Sequence, residues 1–68
     1  MLGKNIKKIR KKRNLTQDKL ARLSDIPYTS ITKIETGVIK SPSIQTVAKI
    51  AKALNISLDE LMRGTGKG

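Results

Sequence analysis

The chain is a strongly basic polypeptide of 68 residues, which is enough for one small domain. Fifteen Lys and Arg stand against five Asp and Glu, and the resulting formal charge of +10 makes polyanions such as nucleic acid the expected partners. Because Cys and His are absent, we expect no disulfide, metal site or histidine-based catalysis, and we predict no enzymatic activity, no cofactor and no small-molecule ligand.

The first predicted helix covers about residues 3–13. Ile6 and Ile9 lie three residues apart and supply its apolar stripe, whereas its remaining faces are basic. The basic residues of this segment are Lys4, Lys7, Lys8, Arg10, Lys11, Lys12 and Arg13.

The second predicted helix covers about residues 17–24. Thr16 is a favourable N-cap, since its hydroxyl can accept from a backbone N–H of the first turn. Leu20 and Ala21 follow at helical spacing, and the small Ala21 lets another helix cross closely. The pattern therefore predicts two helices in tight contact here.

The third predicted helix covers about residues 28–36. Pro27 suits the start of a helix, and Gly37 can adopt the left-handed conformation that ends one. Ile31 and Ile34 face inward because they are three residues apart. The other faces carry Tyr28, Thr29, Thr32 and Lys33.

Two more helices and a tail complete the prediction. After a loop over 38–42, Ser43 caps a fourth helix that Asn55 ends. Ser57 and Glu60 form a capping box for a fifth helix. Residues 64–68 are expected to be a flexible tail. The predicted core is Ile6, Ile9, Leu15, Leu20, Ala21, Ile26, Ile31, Ile34, Ile44, Val47, Ile50, Ala51, Leu54, Ile56, Leu58 and Leu61.

The stretch TQDKLARLSDIPYTSITKIETG, over 16–37, resembles the helix-turn-helix of the phage repressor and Cro-like (XRE-type) family. The resemblance extends upstream through IKKIRKKRNLTQ and downstream through SPSIQTVAKIAKALNISLDELM, and so covers roughly residues 2–63. It implies an all-α, compact five-helix, lambda-repressor-like DNA-binding domain over 2–63. Helices 2 and 3 would form the helix-turn-helix, with helix 3 in the major groove.

The resemblance and the residue chemistry together predict which side chains meet DNA. The candidates for base readout are Gln17, Tyr28, Thr29, Thr32 and Lys33. For Gln17 three roles stay open: contact with the DNA backbone, support of helix 3, and contact with a base edge. The candidates for phosphate contact are Lys7, Lys11, Thr16, Lys40 and Ser41.

One ion pair is expected to be structural. The family places such a pair at the positions of Arg10 and Glu35, so we predict that these two side chains meet and are partly buried. The turn departs from the family pattern, since Asp25 replaces the common glycine and Pro27 replaces a polar cap. Because an aspartate tolerates a left-handed conformation, we expect the turn to survive.

The leading functional hypothesis is a sequence-specific, double-stranded DNA-binding transcriptional regulator, a repressor, acting as a homodimer on a pseudo-palindromic site. We expect it in the cytoplasm and not at a membrane, because no apolar run approaches the roughly 18 residues that a span needs. Alternatively, the chain is an N-terminal fragment whose own dimerisation domain is missing. A further alternative is an antitoxin or adaptor-type protein-interaction module, because a fold alone does not fix function.

Overall fold

The computed structural model describes residues 2–63 and arranges them as five helices without strands, which confirms the predicted all-α class for this part of the chain. In chain order the helices are α1 (Leu2–Lys12), α2 (Gln17–Ser24), α3 (Tyr28–Thr36), α4 (Ile44–Ala53) and α5 (Leu58–Arg63). The predicted tail over 64–68 lies outside the described residues. None of these helices is long and apolar enough to cross a membrane.

A single apolar core holds the helices together. α1 packs on α3 and α5, α2 packs on α3 and α4, and α4 packs on α5. The buried apolar residues are Ile6, Ile9, Leu20, Ala21, Ile26, Ile31, Ile34, Val47, Ile50, Ala51, Leu54 and Leu61. All of them belong to the predicted core, because the i, i+3 and i, i+4 spacing of apolar residues selects one face of each helix.

The predicted core was wrong at Ile44, whose side chain is 64% exposed. Ile44 is the first residue of α4, and the buried face of that helix begins at Val47, one turn further on. Apolar spacing alone cannot show that the neighbouring helices fail to cover a first turn. Three other members of the predicted core, Leu15, Ile56 and Leu58, are half-buried and pack against its edge.

The turn between α2 and α3 sets the angle at which α3 leaves α2. Asp25 has φ 59° and ψ 38°, the left-handed conformation expected where the family often has glycine. The Ile26 N–H donates to the Ala21 carbonyl at 3.1 Å, which satisfies a carbonyl at the end of α2. Pro27 precedes α3 without a side-chain cap hydrogen bond, as predicted.

The capping box that opens α5 gives a test of local stability. Ser57 Oγ accepts from the Glu60 N–H at 3.0 Å, and Glu60 Oε1 accepts from the Ser57 N–H at 3.2 Å. Ser57→Ala is expected to lower the free energy of unfolding by about 1 kcal/mol, measured by urea denaturation. Ser41→Ala is the control, because Ser41 is exposed and lies in a loop. Equal values for both variants would contradict the role of the box.

Candidate nucleic-acid interface

The outward face of α3 carries a compact set of polar side chains. Ile31 and Ile34 point into the core, which leaves Tyr28, Thr29 and Lys33 exposed and Thr32 half-buried on the opposite side. Tyr28 is 49% exposed and stands at the first residue of the helix. Four of the five side chains predicted to read bases therefore share one surface, with an aromatic ring at its N-terminal end.

A buried ion pair lies behind this surface. Arg10 Nε donates to Glu35 Oε2 at 2.7 Å, and Arg10 Nη2 donates to Glu35 Oε1 at 3.0 Å. The two side chains are only 9% and 2% exposed. This geometry is bidentate, which fixes direction as well as distance between α1 and α3. The guanidinium of Arg10 is thus held inside the protein by Glu35, with 9% of the side chain exposed.

The Arg10 guanidinium has a further partner that the sequence did not indicate. Arg10 Nη1 donates to the Leu15 carbonyl at 2.7 Å, in the connection between α1 and α2. The ion pair therefore ties together α1, α3 and the start of the helix-turn-helix. Because every residue has a backbone carbonyl, the residue type at position 15 does not indicate that its carbonyl accepts this bond.

Gln17 joins the buried pair to the exposed surface. Gln17 Nε2 donates to Glu35 Oε1 at 3.1 Å, while Gln17 Oε1 lies 3.4 Å from the donating hydroxyl of Tyr28. Its amide orientation is therefore set by a fixed carboxylate on one side and by the tyrosine on the other. A carboxamide nitrogen carries two hydrogens, so one N–H remains for an external acceptor.

The two threonines of α3 differ in what they can offer a ligand. Thr32 Oγ1 donates to the Thr29 carbonyl at 2.8 Å, which uses the only hydrogen of that hydroxyl. Thr32 is thus limited to accepting while this bond holds, whereas the Thr29 hydroxyl can donate or accept. Both side chains keep a methyl group for apolar contact.

The candidates for phosphate contact lie on three other segments. Thr16 caps α2, where its Oγ1 accepts from the Lys19 N–H at 3.0 Å. Lys40 and Ser41 are exposed in the loop after α3, and a bond of 3.0 Å from the Ile39 N–H to the Lys33 carbonyl anchors that loop to the helix. The remaining two candidates, Lys7 and Lys11, stand on the solvent side of α1.

This arrangement defines a helix-turn-helix protein: two helices joined by a left-handed turn, with the polar face of the second presented to solvent. A family model described as helix-turn-helix matches residues 6–61, and the chain belongs to the phage repressor and Cro-like helix-turn-helix family. The resemblance found in the sequence is thereby confirmed.

Comparisons with known proteins agree with this assignment. The chain is 34% identical over 64 residues to the transcriptional repressor RghR of Bacillus subtilis, covering 94% of this chain and 47% of RghR. It is 36% identical over 62 residues to the antitoxin PezA of Streptococcus pneumoniae, covering 91% of this chain and 39% of PezA. The chain thus spans about half the length of such relatives, or less.

A solved structure shares the fold closely. The structure of SinR, a master regulator for biofilm formation, in complex with DNA matches with a TM-score of 0.87 and 29% sequence identity. The match covers 91% of this chain and 98% of the SinR chain, so the five-helix arrangement is common to both.

Proposed function

We propose that this domain is a transcriptional regulator that binds double-stranded DNA sequence-specifically, with α3 in the major groove. The observation that carries the proposal is the exposed polar face of α3. Arg10 holds this helix directly through its buried ion pair with Glu35, and Gln17 connects Glu35 to Tyr28. Rigid support matters because base readout needs side chains placed to within about 0.5 Å. The similarity to SinR, solved in complex with DNA, supports the same function.

Each exposed side chain of α3 has a distinct role in this proposal. Lys33 donates to guanine O6 and N7, although it lacks the planar fork of arginine. Thr29 and Thr32 pack their methyl groups on thymine methyls and hydrogen-bond base edges within the donor and acceptor limits set above. Tyr28 packs on a thymine methyl or on sugar, while Gln17 holds its hydroxyl and directs the remaining amide N–H to a base edge or a phosphate.

Phosphate contacts orient the domain on the duplex without reading sequence. Thr16 and the first backbone N–H groups of α2 form an anion site at a helix N-terminus. Lys40 and Ser41 contact the backbone beyond the other end of α3, so that the recognition helix is held at both ends. Lys7 and Lys11 reach the phosphates that flank this segment.

We propose further that two copies bind a pseudo-palindromic site and repress transcription. One domain makes few base contacts, and a second copy about one helical turn away supplies the remaining discrimination. The apolar candidates for the contact between copies are Val38, Ile39, Ile56, Leu58 and Met62. Among these, Val38 is 71% and Met62 55% exposed. Similarity to the repressor RghR supports repression.

Methylation interference tests the placement of α3. Methyl groups at guanine N7 project into the major groove, whereas those at adenine N3 project into the minor groove. We expect N7 methylation within each half-site to block binding and N3 methylation there to be tolerated. The opposite pattern would contradict major-groove binding by α3.

A protein-interaction module is the second candidate function. A groove of about 280 Å³, in which Ile44 and Met62 are largely exposed, is lined by Leu2, Lys40, Ser41, Pro42, Ile44, Val47 and Met62. Exposed apolar patches often mark contacts with other proteins. The similarity to the antitoxin PezA favours the same reading. Duplex binding without any sequence preference would contradict the first candidate and leave this one standing.

A further inference from the structure

The solvent side of α1 carries five lysines in eleven residues. They are Lys4, Lys7, Lys8, Lys11 and Lys12, all exposed, and together they form what we call the α1 lysine face. None of them takes part in an ion pair within residues 2–63, where the acidic partners of the salt bridges are Asp18, Glu35 and Asp59. The charge of the face is therefore not neutralised by an ion pair, and the acidic residue beside it is Glu60 of α5, which lines a cavity with Lys12.

This pattern works against the stability of the isolated helix. Lys4 and Lys8 are four residues apart, as are Lys7 and Lys11, and like charges at this spacing repel one another on a helix. The first turn of α1 contains no acidic residue and carries Lys4 near the positive end of the helix dipole, whereas Lys11 and Lys12 in the last turn are favourably placed. A face kept only for solubility would mix both signs of charge. The arrangement instead fits a polyanion that neutralises it.

The lysine face continues around α1 away from α3. Successive residues turn by about 100° around a helix axis, so the face covers an arc of about 140°. Its edge at Lys7 borders the side where Arg10 meets Glu35 of α3. Its other edge at Lys12 borders the side where Asn5 donates to the Leu61 carbonyl of α5 at 3.1 Å.

We propose that the α1 lysine face binds the phosphates of duplex DNA outside the segment that α3 reads. The inference rests on the proposed function, and it extends the interface from Lys7 and Lys11 around to Lys4, Lys8 and Lys12. From Lys4 to Lys12 the face runs about 12 Å along the helix axis, while a duplex presents a phosphate every ~1.7 Å. When the DNA outside the segment that α3 reads curves toward α1, several of its phosphates lie along the α1 lysine face.

Salt dependence at two duplex lengths tests this proposal. The two half-sites lie about one helical turn, roughly 34 Å, centre to centre. A duplex of about 14 bp, roughly 48 Å, therefore holds the segments that α3 reads and ends before the DNA that flanks them, and one of about 40 bp adds a flank at each end. Both carry the motif enriched by selection from random duplexes, and the measured quantity is the slope of log K against log salt.

The wild-type slope is expected to be steeper on the long duplex than on the short one. In the double variant Lys4→Gln/Lys8→Gln, the slope on the long duplex should become shallower by about 1.8 for each bound copy, since each lost phosphate contact changes it by about 0.9. The slope on the short duplex should not change. The matched control, Lys49→Gln/Lys52→Gln, removes the same charge from exposed positions on α4 and should retain the length dependence.

Each other outcome overturns the proposal in a recognisable way. Equal wild-type slopes on both duplexes, or a Lys4/Lys8 variant that behaves like the control, overturn it and leave sequence-specific binding intact. Failure of the selection to enrich any motif overturns the proposed function and this inference together. If the Lys4/Lys8 variant keeps the wild-type slope on DNA but loses a binding to anionic phosphatidylglycerol vesicles that the wild-type protein shows, the proposal is overturned and the face is assigned to a lipid surface. A thermal melt followed by circular dichroism shows that both variants fold.

Discussion

Replacing Arg10 with alanine is expected to lower the free energy of unfolding by about 3–5 kcal/mol, because it leaves the buried carboxylate of Glu35 without its counter-charge. Glu35 is 2% exposed at its side chain, so solvent cannot replace the lost partner. The substitution also removes the Arg10 donor to the Leu15 carbonyl. It leaves the Gln17 amide bonded to a carboxylate that has lost its counter-charge. Since the total free energy of unfolding of a native domain is about 5–15 kcal/mol, the variant should be near its unfolding midpoint at moderate temperature.

An exposed ion pair on α2 provides the matched control. Arg22 Nε lies 3.2 Å from Asp18 Oδ2, but the two side chains are 78% and 61% exposed. Arg22→Ala should therefore cost less than about 1 kcal/mol. Both variants remove one arginine from an ion pair, so the difference between them compares a buried pair, together with its bond to the Leu15 carbonyl, with an exposed one. Urea denaturation of the three proteins gives the comparison.

A double-mutant cycle decides whether Arg10 and Glu35 act together. If they do, adding Glu35→Ala to Arg10→Ala should cost far less than Glu35→Ala costs in the wild-type protein. Single-variant losses that simply add would show that the pair is not coupled. In that case the destabilisation would come from lost packing of the arginine stem.

The second large effect is expected at Lys33. If Lys33 reads a guanine, Lys33→Ala should reduce discrimination at that base pair by about 1–3 kcal/mol while affecting other positions little. The measurement is the affinity of wild-type and variant protein for the selected duplex and for duplexes with each single base change.

Lys40→Ala is the comparison for this prediction. Lys40 is exposed in the loop after α3, where a phosphate contact would weaken binding to every sequence alike and make the salt slope shallower by about 0.9 per copy. Similar losses across all sequences for both variants would contradict base readout by Lys33. Loss of discrimination only with Lys40→Ala would exchange the two roles.

Local chemistry made much of the fold predictable. α2 and α3 begin and end at the predicted residues, because Thr16 and Gly37 are strong boundary signals and Asp25 tolerates the left-handed turn. α4 ends at Ala53, two residues before the predicted boundary, and Asn55 takes the left-handed conformation beyond it. The periodicity of apolar residues identified the core but not the residues at which it ends. The exposure of Ile44 depends on which neighbouring helices reach the first turn of α4.

The candidate site shows what a sequence cannot supply. At Gly3, an added Cβ would clash with the Ile34 carbonyl oxygen, so glycine permits the close approach of α1 to α3. No local pattern announces this contact between residues distant in sequence. The link from Glu35 through Gln17 to Tyr28 likewise depends on how three helices meet. Residue types and the family resemblance identified Glu35, Gln17 and Tyr28 as candidates, whereas only the packed structure shows which of them contacts which.

In vitro selection from a random duplex pool at near-physiological salt tests the central claim most directly. If α3 reads DNA and two copies bind together, the selected pool should contain a two-fold symmetric motif whose half-sites lie about one helical turn apart. The Lys33→Ala protein should then enrich a motif that is degenerate at one position of each half-site. Retention of DNA without enrichment of any motif would contradict sequence-specific regulation and leave only electrostatic binding.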